Sequence, residues 1–205
     1  YYQGKVRANF YGGKLFSHDG VPLRVIVATD QISTHDRVRG TIPFKGQILT
    51  AISNAMFSYT SRKIRSSQLS APGPYVVISE NCKPFLFEMV LRAYIAKSTT
   101  ETSLYHRYFN LREREFCGHK LPNNLVANGF LQKIIDTPST KVSEGCHDES
   151  VEPIYLFEHG IITPKEYNYI KNIAISDFEI ISDLLRQRGI IVADTKFELG
   201  KRKTG

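Results

Sequence analysis

The chain has 205 residues, 41% of them hydrophobic and 23% charged, with a formal net charge of +7. That length suits one large domain or two small ones around a substantial core, and the composition excludes a disordered chain. The positive balance admits nucleic acid or polyanionic small molecules as partners.

"GKVRANFY" (4–11) predicts a strand closed by the turn Gly12-Gly13, and "LRVIVATD" (23–30) is a β-branched run of buried-strand type. "QISTHDRVRGTIPFKG" (31–46) reads as a polar loop. "QILTAISNAMFSYTSR" (47–62) follows as a helix, with Ile48, Leu49, Ile52, Met56 and Phe57 at helical spacing. "APGP" (71–74) punctuates before the apolar "YVVIS". "KPFLFEMVLRAYIA" (83–96) is a long strand-like run in which Glu88 and Arg92 are the isolated charges. An arginine among such neighbours calls for a buried anionic partner, either structural, Glu88 for instance, or a ligand carboxylate or phosphate. Residues 98–150 are rich in Ser, Thr, Asn, Gly, His and charge and read as a functional loop region. The clearest helix comes next: Thr163 as N-cap, Pro164 in the first helical position, Glu166 completing a capping box, and Gly189 as terminator. Its apolar spacing runs through Ile170, Ile173, Asp177, Ile181 and Leu184. "IIVADTKFELG" (190–200) is the last strand. The pattern is α+β, an N-terminal antiparallel sheet with a helix and then a larger mixed lobe.

No apolar run approaches the roughly 18 residues that span a bilayer, and no secretory leader is visible. Cys82, Cys117 and Cys146 lack the CxxC spacing of a zinc or redox site, so reduced thiols in a cytoplasmic protein are expected. Arg62-Lys63-Ile64-Arg65 and Lys201-Arg202-Lys203 are the basic clusters, and no nucleic-acid-binding motif accompanies them.

In "VADTKFELG", Asp194, Lys196 and Glu198 fall on one face of a strand and Thr195, Phe197 and Leu199 on the other. The residues alone leave two readings open. The charges form a solvated strand face, or they form a metal–phosphate site in which carboxylates ligate Mg²⁺ beside a phosphate-binding lysine. "GKVR" offers a close backbone approach at Gly4 with Lys5 and Arg7 on one face, yet it is neither a Walker A nor a GxGxxG motif. Asp30, Ser33, Asp36, Lys45 and Gly46 gather around one loop, and His147 stands alone in another.

Taken in order, "GKVR", "VATDQISTHD", "IPFKGQILTAISN", "EMVLRAYI", "CGHKLPNNL", "TPSTK", "EGCHDES" and "GIIVADTKFELG" resemble the motif series of the SAICAR synthetase family (phosphoribosylaminoimidazole-succinocarboxamide synthases), from residue 4 to residue 200. The resemblance implies a two-lobed α+β fold, residues 1–82 as an ATP-phosphate-covering lobe and 83–205 as a second lobe, with ATP in the cleft. It implies a carbon–nitrogen ligase that condenses the imidazole nucleotide CAIR with L-aspartate, using ATP and Mg²⁺, to give SAICAR, ADP and phosphate in purine biosynthesis. By the same resemblance Gly4, Lys5, Val6 and Arg7 cover the ATP phosphates, and the run from Lys83 to Glu88 forms the hinge beside adenine. Glu198 ligates Mg²⁺, with Lys196 near the reacting groups. Asp36, Arg92, Asp148 and Asp194 contact or position the nucleotide, Lys45 is a further substrate contact, and Ser103 is the candidate for the substrate phosphate, with Ser98 its rival. CAIR, L-aspartate and ATP are then the partners, without nucleic acid or membrane, and homo-oligomerisation stays open.

Three departures stand out. Ala8 replaces the aspartate that follows "GKVR" in the family. "RAYIAKSTTETS" is longer than the family's segment there. A further strand with a second metal carboxylate and a substrate arginine is expected beyond "KRKTG". The competing readings are a small-molecule kinase of inositol-phosphate type and a basic nucleic-acid-binding module.

Overall fold

The computed structural model describes residues 1–12, 16–34, 37–61, 64–141 and 149–202. The chain divides into two units, Tyr1–Lys83 with Gly200–Gly205, and Pro84–Leu199. Unit 1 begins with β1 (Tyr2–Gln3), β2 (Arg7–Tyr11), β3 (Ser17–His18) and β4 (Val21–Ala28). A hairpin of β5 (Gln31–Thr34) and β6 (Arg37–Thr41) leads into α1 (Lys45–Thr60), and the unit returns as β7 (Gln68–Gly73) and β8 (Val76–Glu80). The strands form an antiparallel sheet in the order β1-β2-β4-β8-β7, with β3 paired to β4. The β-branched run thus lies at its centre, with Ala8 opposite Val27 and Val25 opposite Ile78.

Two expectations for this unit need correction. The polar stretch after Asp30 is a hairpin, not a loop, pairing Gln31 with Thr41 and Thr34 with Arg37. β6 is exposed throughout and β5 at most half-buried, so the hairpin lacks the apolar alternation by which a strand is recognised. Helix α1 forms where the spacing predicts, but its apolar stripe faces outward. Ile48, Leu49, Ile52 and Phe57 are exposed, whereas Gly46, Thr50 and Thr60 are buried. The approach at Gly46 dictates this: a Cβ there would meet the Tyr75 ring at 2.8 Å and the Thr29 carbonyl oxygen at 2.9 Å. Asp30 fixes the same end by accepting from the Gly46 amide at 3.0 Å and the Phe44 amide at 3.1 Å, satisfying donors that a helix start leaves open.

After β9 (Lys83–Pro84), unit 2 runs through β10 (Phe87–Tyr94), α2 (Leu104–Phe109), β11 (Glu115–Phe116), β12 (His119–Lys120), β13 (Phe130–Asp136), β14 (Ser139–Thr140), α3 (Pro153–Glu158), α4 (Pro164–Arg186) and β15 (Asp194–Phe197). The final strand, β16 (Gly200–Lys201), belongs to unit 1. Strand β10 pairs antiparallel with β13, β14 and β15, and six of its eight residues are buried. It feeds the first of two apolar clusters, and the second begins at Ile95, just beyond it. One holds Phe87, Met89, Leu91, Leu156, Tyr167, Ala174 and Phe178; the other continues from Ile95 through Leu104, Tyr108, Leu131 and Ile135.

The long helix keeps its predicted start. Thr163 accepts from the Glu166 amide, Glu166 answers to the Thr163 amide, and Pro164 occupies the first turn. It also keeps its end. The Gly189 amide donates to the Arg186 carbonyl and the Ile190 amide to that of Leu185, with Gly189 at φ 75, which is a Schellman closure. Its buried face is Tyr167, Ile170, Ala174, Phe178 and Ser182, rather than the stripe through Ile173, Asp177, Ile181 and Leu184. The expected loop at 98–150 holds α2, β13 and two short hairpin strands. β13 escapes the period-two pattern because Gln132 sits at φ 68 and the register with β10 shifts between Arg92 and Tyr94.

Candidate active site

Antiparallel pairing sets β15 against β10 with Asp194 opposite Arg92, Lys196 opposite Val90 and Phe197 opposite Met89. Thr195, Phe197 and Leu199 lie on the more buried side, and Asp194, Lys196 and Glu198 share the exposed one, as the alternation predicts. Each of those charges has an opposite partner. Asp194 Oδ2 is 3.7 Å from Arg92 Nη1, Lys196 Nζ is 2.7 Å from Glu88 Oε2, and Glu198 Oε1 is 3.2 Å from Lys141 Nζ. The face is therefore a ladder of alternating charge, neither a bare solvated surface nor a cluster of acids.

The partner proposed for Arg92 within its own strand is corrected here. Glu88 and Arg92 stand four residues apart, about 13 Å along an extended chain, and cannot meet. Arg92 reaches across to Asp194 and donates from Nε to Thr137 Oγ1 at 3.0 Å. Burial lowers the pKa of its guanidinium, and Asp194 offsets part of that shift. Glu88 is only 5% exposed and depends on Lys196 for its counter-charge.

Above the ladder lies a cavity of about 520 Å³, the size of small-ligand sites. Glu88, Val90, Arg92, Tyr94, Asp194 and Lys196 line its strand side, and Lys97, Ser98, Thr100, Thr102, Ser103, Tyr105, Ser139 and Ser150 line the rest. Ser103 also caps α2, accepting from the His106 amide at 3.2 Å, and Ser98 accepts from the Thr100 amide at 3.1 Å. The lining mixes cations with hydroxyl groups, a combination suited to phosphate and carboxylate oxygens.

Behind the cavity, β13 ends in a buried polar knot. Asp136 accepts from the Tyr167 hydroxyl at 2.6 Å, His119 Nε2 lies 3.2 Å from Asp136 Oδ1, and Lys171 is 3.7 Å from Oδ2. Burial alone would raise the Asp136 pKa, but these donors and the Lys171 charge hold it down at about 2. Burial and the Asp136 contact push the Tyr167 hydroxyl upward, and burial raises the Cys117 thiol to about 12, which keeps it protonated.

The structure thus brings together Glu88, Arg92, Ser103, Asp194 and Lys196, with Glu198 further along the same strand face. In unit 1 the Gly4–Arg7 turn closes with the Gly4 amide on the Arg7 carbonyl at 2.8 Å, and the Val6 carbonyl accepts from the Thr29 amide and hydroxyl. Lys45 is the first, half-buried residue of α1 and Lys83 is exposed. Asp36 and Asp148 lie outside the described residues, as do Cys146 and His147. In the sequence reading "TPSTK" and "EGCHDES" stand out as motifs with no assigned site residue but Asp148; Ser139 and Ser150 from them, with Lys97, line the cavity, while Thr137 and Lys141 contact Arg92 and Glu198. Cys82 and Cys117 are free thiols, and no described helix is long and apolar enough to cross a membrane.

An α+β chain with a cation- and hydroxyl-lined cavity beside a charged strand pair has the lining that small anionic molecules require. Comparison with known proteins makes this specific. The chain belongs to the SAICAR synthetase family, whose model matches residues 1–205. The chloroplastic phosphoribosylaminoimidazole-succinocarboxamide synthase of Vigna aconitifolia is 36% identical over 203 residues, covering 99% of this chain and 56% of that protein. A putative phosphoribosylaminoimidazole-succinocarboxamide synthase 2 of Mesorhizobium japonicum is 36% identical over 205 residues, covering 100% of this chain and 63% of its own length. Among solved structures, SAICAR synthase from Saccharomyces cerevisiae, complexed with SAICAR, superposes with a TM-score of 0.77 at 26% identity, covering 97% of this chain and 67% of that one. The chain spans little more than half the length of the Vigna relative.

Proposed function

We propose that this chain carries the substrate-binding and part of the catalytic apparatus of an ATP-dependent carbon–nitrogen ligase, which joins L-aspartate to the carboxylate of CAIR and releases SAICAR, ADP and phosphate. The observation that supports this reading is the charge ladder along β10 and β15 beneath the hydroxyl-lined cavity, in a chain of this family. A carboxylate is a poor acyl donor, so ATP must activate it before an amine attacks. The protein's share of that work is to align anionic groups and neutralise their charge.

Each residue then has a task. Arg92, Ser103 and Lys45 hold the nucleotide, together with Asp148. Lys196, kept in place by Glu88, meets the charge that develops on the reacting carboxylate and phosphate. Asp194 and Asp36 position the groups that react. Gly4, Lys5, Val6 and Arg7 lie along the ATP phosphates and Lys83 flanks the adenine end, whereas Glu88, expected there from the resemblance, is instead the counter-charge of Lys196.

Mg²⁺ takes oxygen ligands and commonly binds through one or two carboxylates plus substrate phosphates and water. Glu198 offers one accessible carboxylate, while Asp194 stands about 13 Å along the strand, too far to share the same ion. Among the described residues no three acids, histidines or cysteines converge. Glu198 therefore fits a Mg²⁺ whose remaining ligands are phosphate oxygens and water, and such an ion neutralises phosphate charge when bound.

The test is ADP release by this chain with CAIR and L-aspartate supplied singly and together. Release that requires both is the expected result. Turnover with CAIR alone, or with a polyol in its place, overturns the assignment.

A further inference from the structure

Arginine has many rotamers, and a flexible one must surrender that freedom on meeting a ligand. Arg92 is not free in this way. Its Nε–H donates to Thr137 Oγ1 at 3.0 Å, and Thr137 is 0% exposed. Thr137 is itself held against β10. Its amide donates to the Val90 carbonyl at 2.8 Å, and its hydroxyl lies 3.5 Å from the same oxygen. Its β-branched side chain has few rotamers, and the fully buried Pro138 confines its backbone to extended conformations. One residue earlier, Asp136 ties the strand to α4 through Tyr167 and Lys171.

Thr137 does not line the cavity, whereas Arg92 does. The Asp194 carboxylate, 3.7 Å from Nη1, is beyond hydrogen-bonding distance, so the terminal amino groups of Arg92 remain available to a ligand oxygen.

We propose that Thr137 is a positioning residue for Arg92. By taking the Nε–H it fixes the plane of the guanidinium, so that the two terminal amino groups are presented to an anionic ligand before it arrives. The inference rests on the reading of the cavity as a site for an anionic nucleotide. Thr137→Val keeps the shape and removes the acceptor, and Thr137→Ser restores it.

Two measurements test the proposal. In calorimetric titration with SAICAR, Thr137→Val should weaken binding about tenfold, which is about 1.4 kcal/mol, and Thr137→Ser should bind within about twofold of the parent chain. In an Arg92→Ala background, Thr137→Val should change nothing further, because the effect runs through the guanidinium. An equal loss in that background, or no loss in the single variant, overturns the proposal. The second readout needs no ligand. The Arg92 Nε–H proton, followed by NMR, should exchange slowly in the parent chain and in Thr137→Ser and quickly in Thr137→Val. Slow exchange in all three overturns the proposal, whereas failure of the parent chain to bind SAICAR strikes only the functional reading. Should Thr137→Val not fold, Thr137→Ala carries the same test.

Discussion

The two units are built from similar strands and stabilised differently. In unit 2, β10 is buried along most of its length and feeds one apolar cluster, a second begins at Ile95 just beyond it, and Met89, Leu91, Ile95 and Leu156 are at 0% exposure. In unit 1, every residue of the central strand β4 is only half-buried, and α1 presents its apolar stripe outward. Unit 1 depends instead on specific polar hooks. Asp30 caps α1, Gln68 donates to Asn54 at 2.8 Å, and Arg202 grips Glu80 with two hydrogen bonds of 2.6 and 2.9 Å. Apolar burial scales with area, whereas a part-exposed ion pair contributes about 1 kcal/mol or less. Unit 2 thus holds the deeper apolar core, and the charged face of β10 and β15 belongs to it.

The largest expected effect is in that core. Leu156→Ala should cost about 2–5 kcal/mol in denaturant unfolding, and Ile26→Ala on half-buried β4 about 1–2 kcal/mol. Equal losses would erase the contrast between the units.

A smaller effect concerns pH. The folded pKa of Asp136, about 2, lies below its ordinary value of 3.8, so the fold favours the ionised form. Its contribution is complete above about pH 4 and disappears as the pH falls through 2. Asp136→Asn should flatten the acid limb of the stability curve between those values, and an unchanged limb would remove Asp136 from the account. The smallest effect belongs to α1. Ile52→Ser should shift stability by no more than about 0.5 kcal/mol, because its side chain already meets water. A loss above about 2 kcal/mol would mean that this helix face is covered.

What the sequence disclosed follows from how local each signal is. The α4 capping box, its Gly189 terminus and the alternation of β15 depend on residues within a few positions of one another, and all were legible. The outward stripe of α1 was not, because spacing reports that a helix is amphipathic without saying which side meets the sheet. Nor was the knot at Asp136, whose partners His119 and Tyr167 lie 17 and 31 residues away. The charged strand of the candidate site was legible as a pattern, but the pairing of its charges was not. Arg92 met Asp194 instead of Glu88 because antiparallel register, and not sequence proximity, decides which charges touch.

Glu198 offers the most direct test of the central claim that this strand face performs phosphoryl-dependent ligation. Its side chain is 65% exposed, so Glu198→Gln should leave the melting temperature within about 2 °C. In the ADP-release assay with CAIR, L-aspartate and Mg²⁺, the same change should lower turnover by at least about a hundredfold, the scale on which a lost transition-state charge contact is felt. A rate equal to that of the parent chain would return Asp194, Lys196 and Glu198 to the status of surface charges.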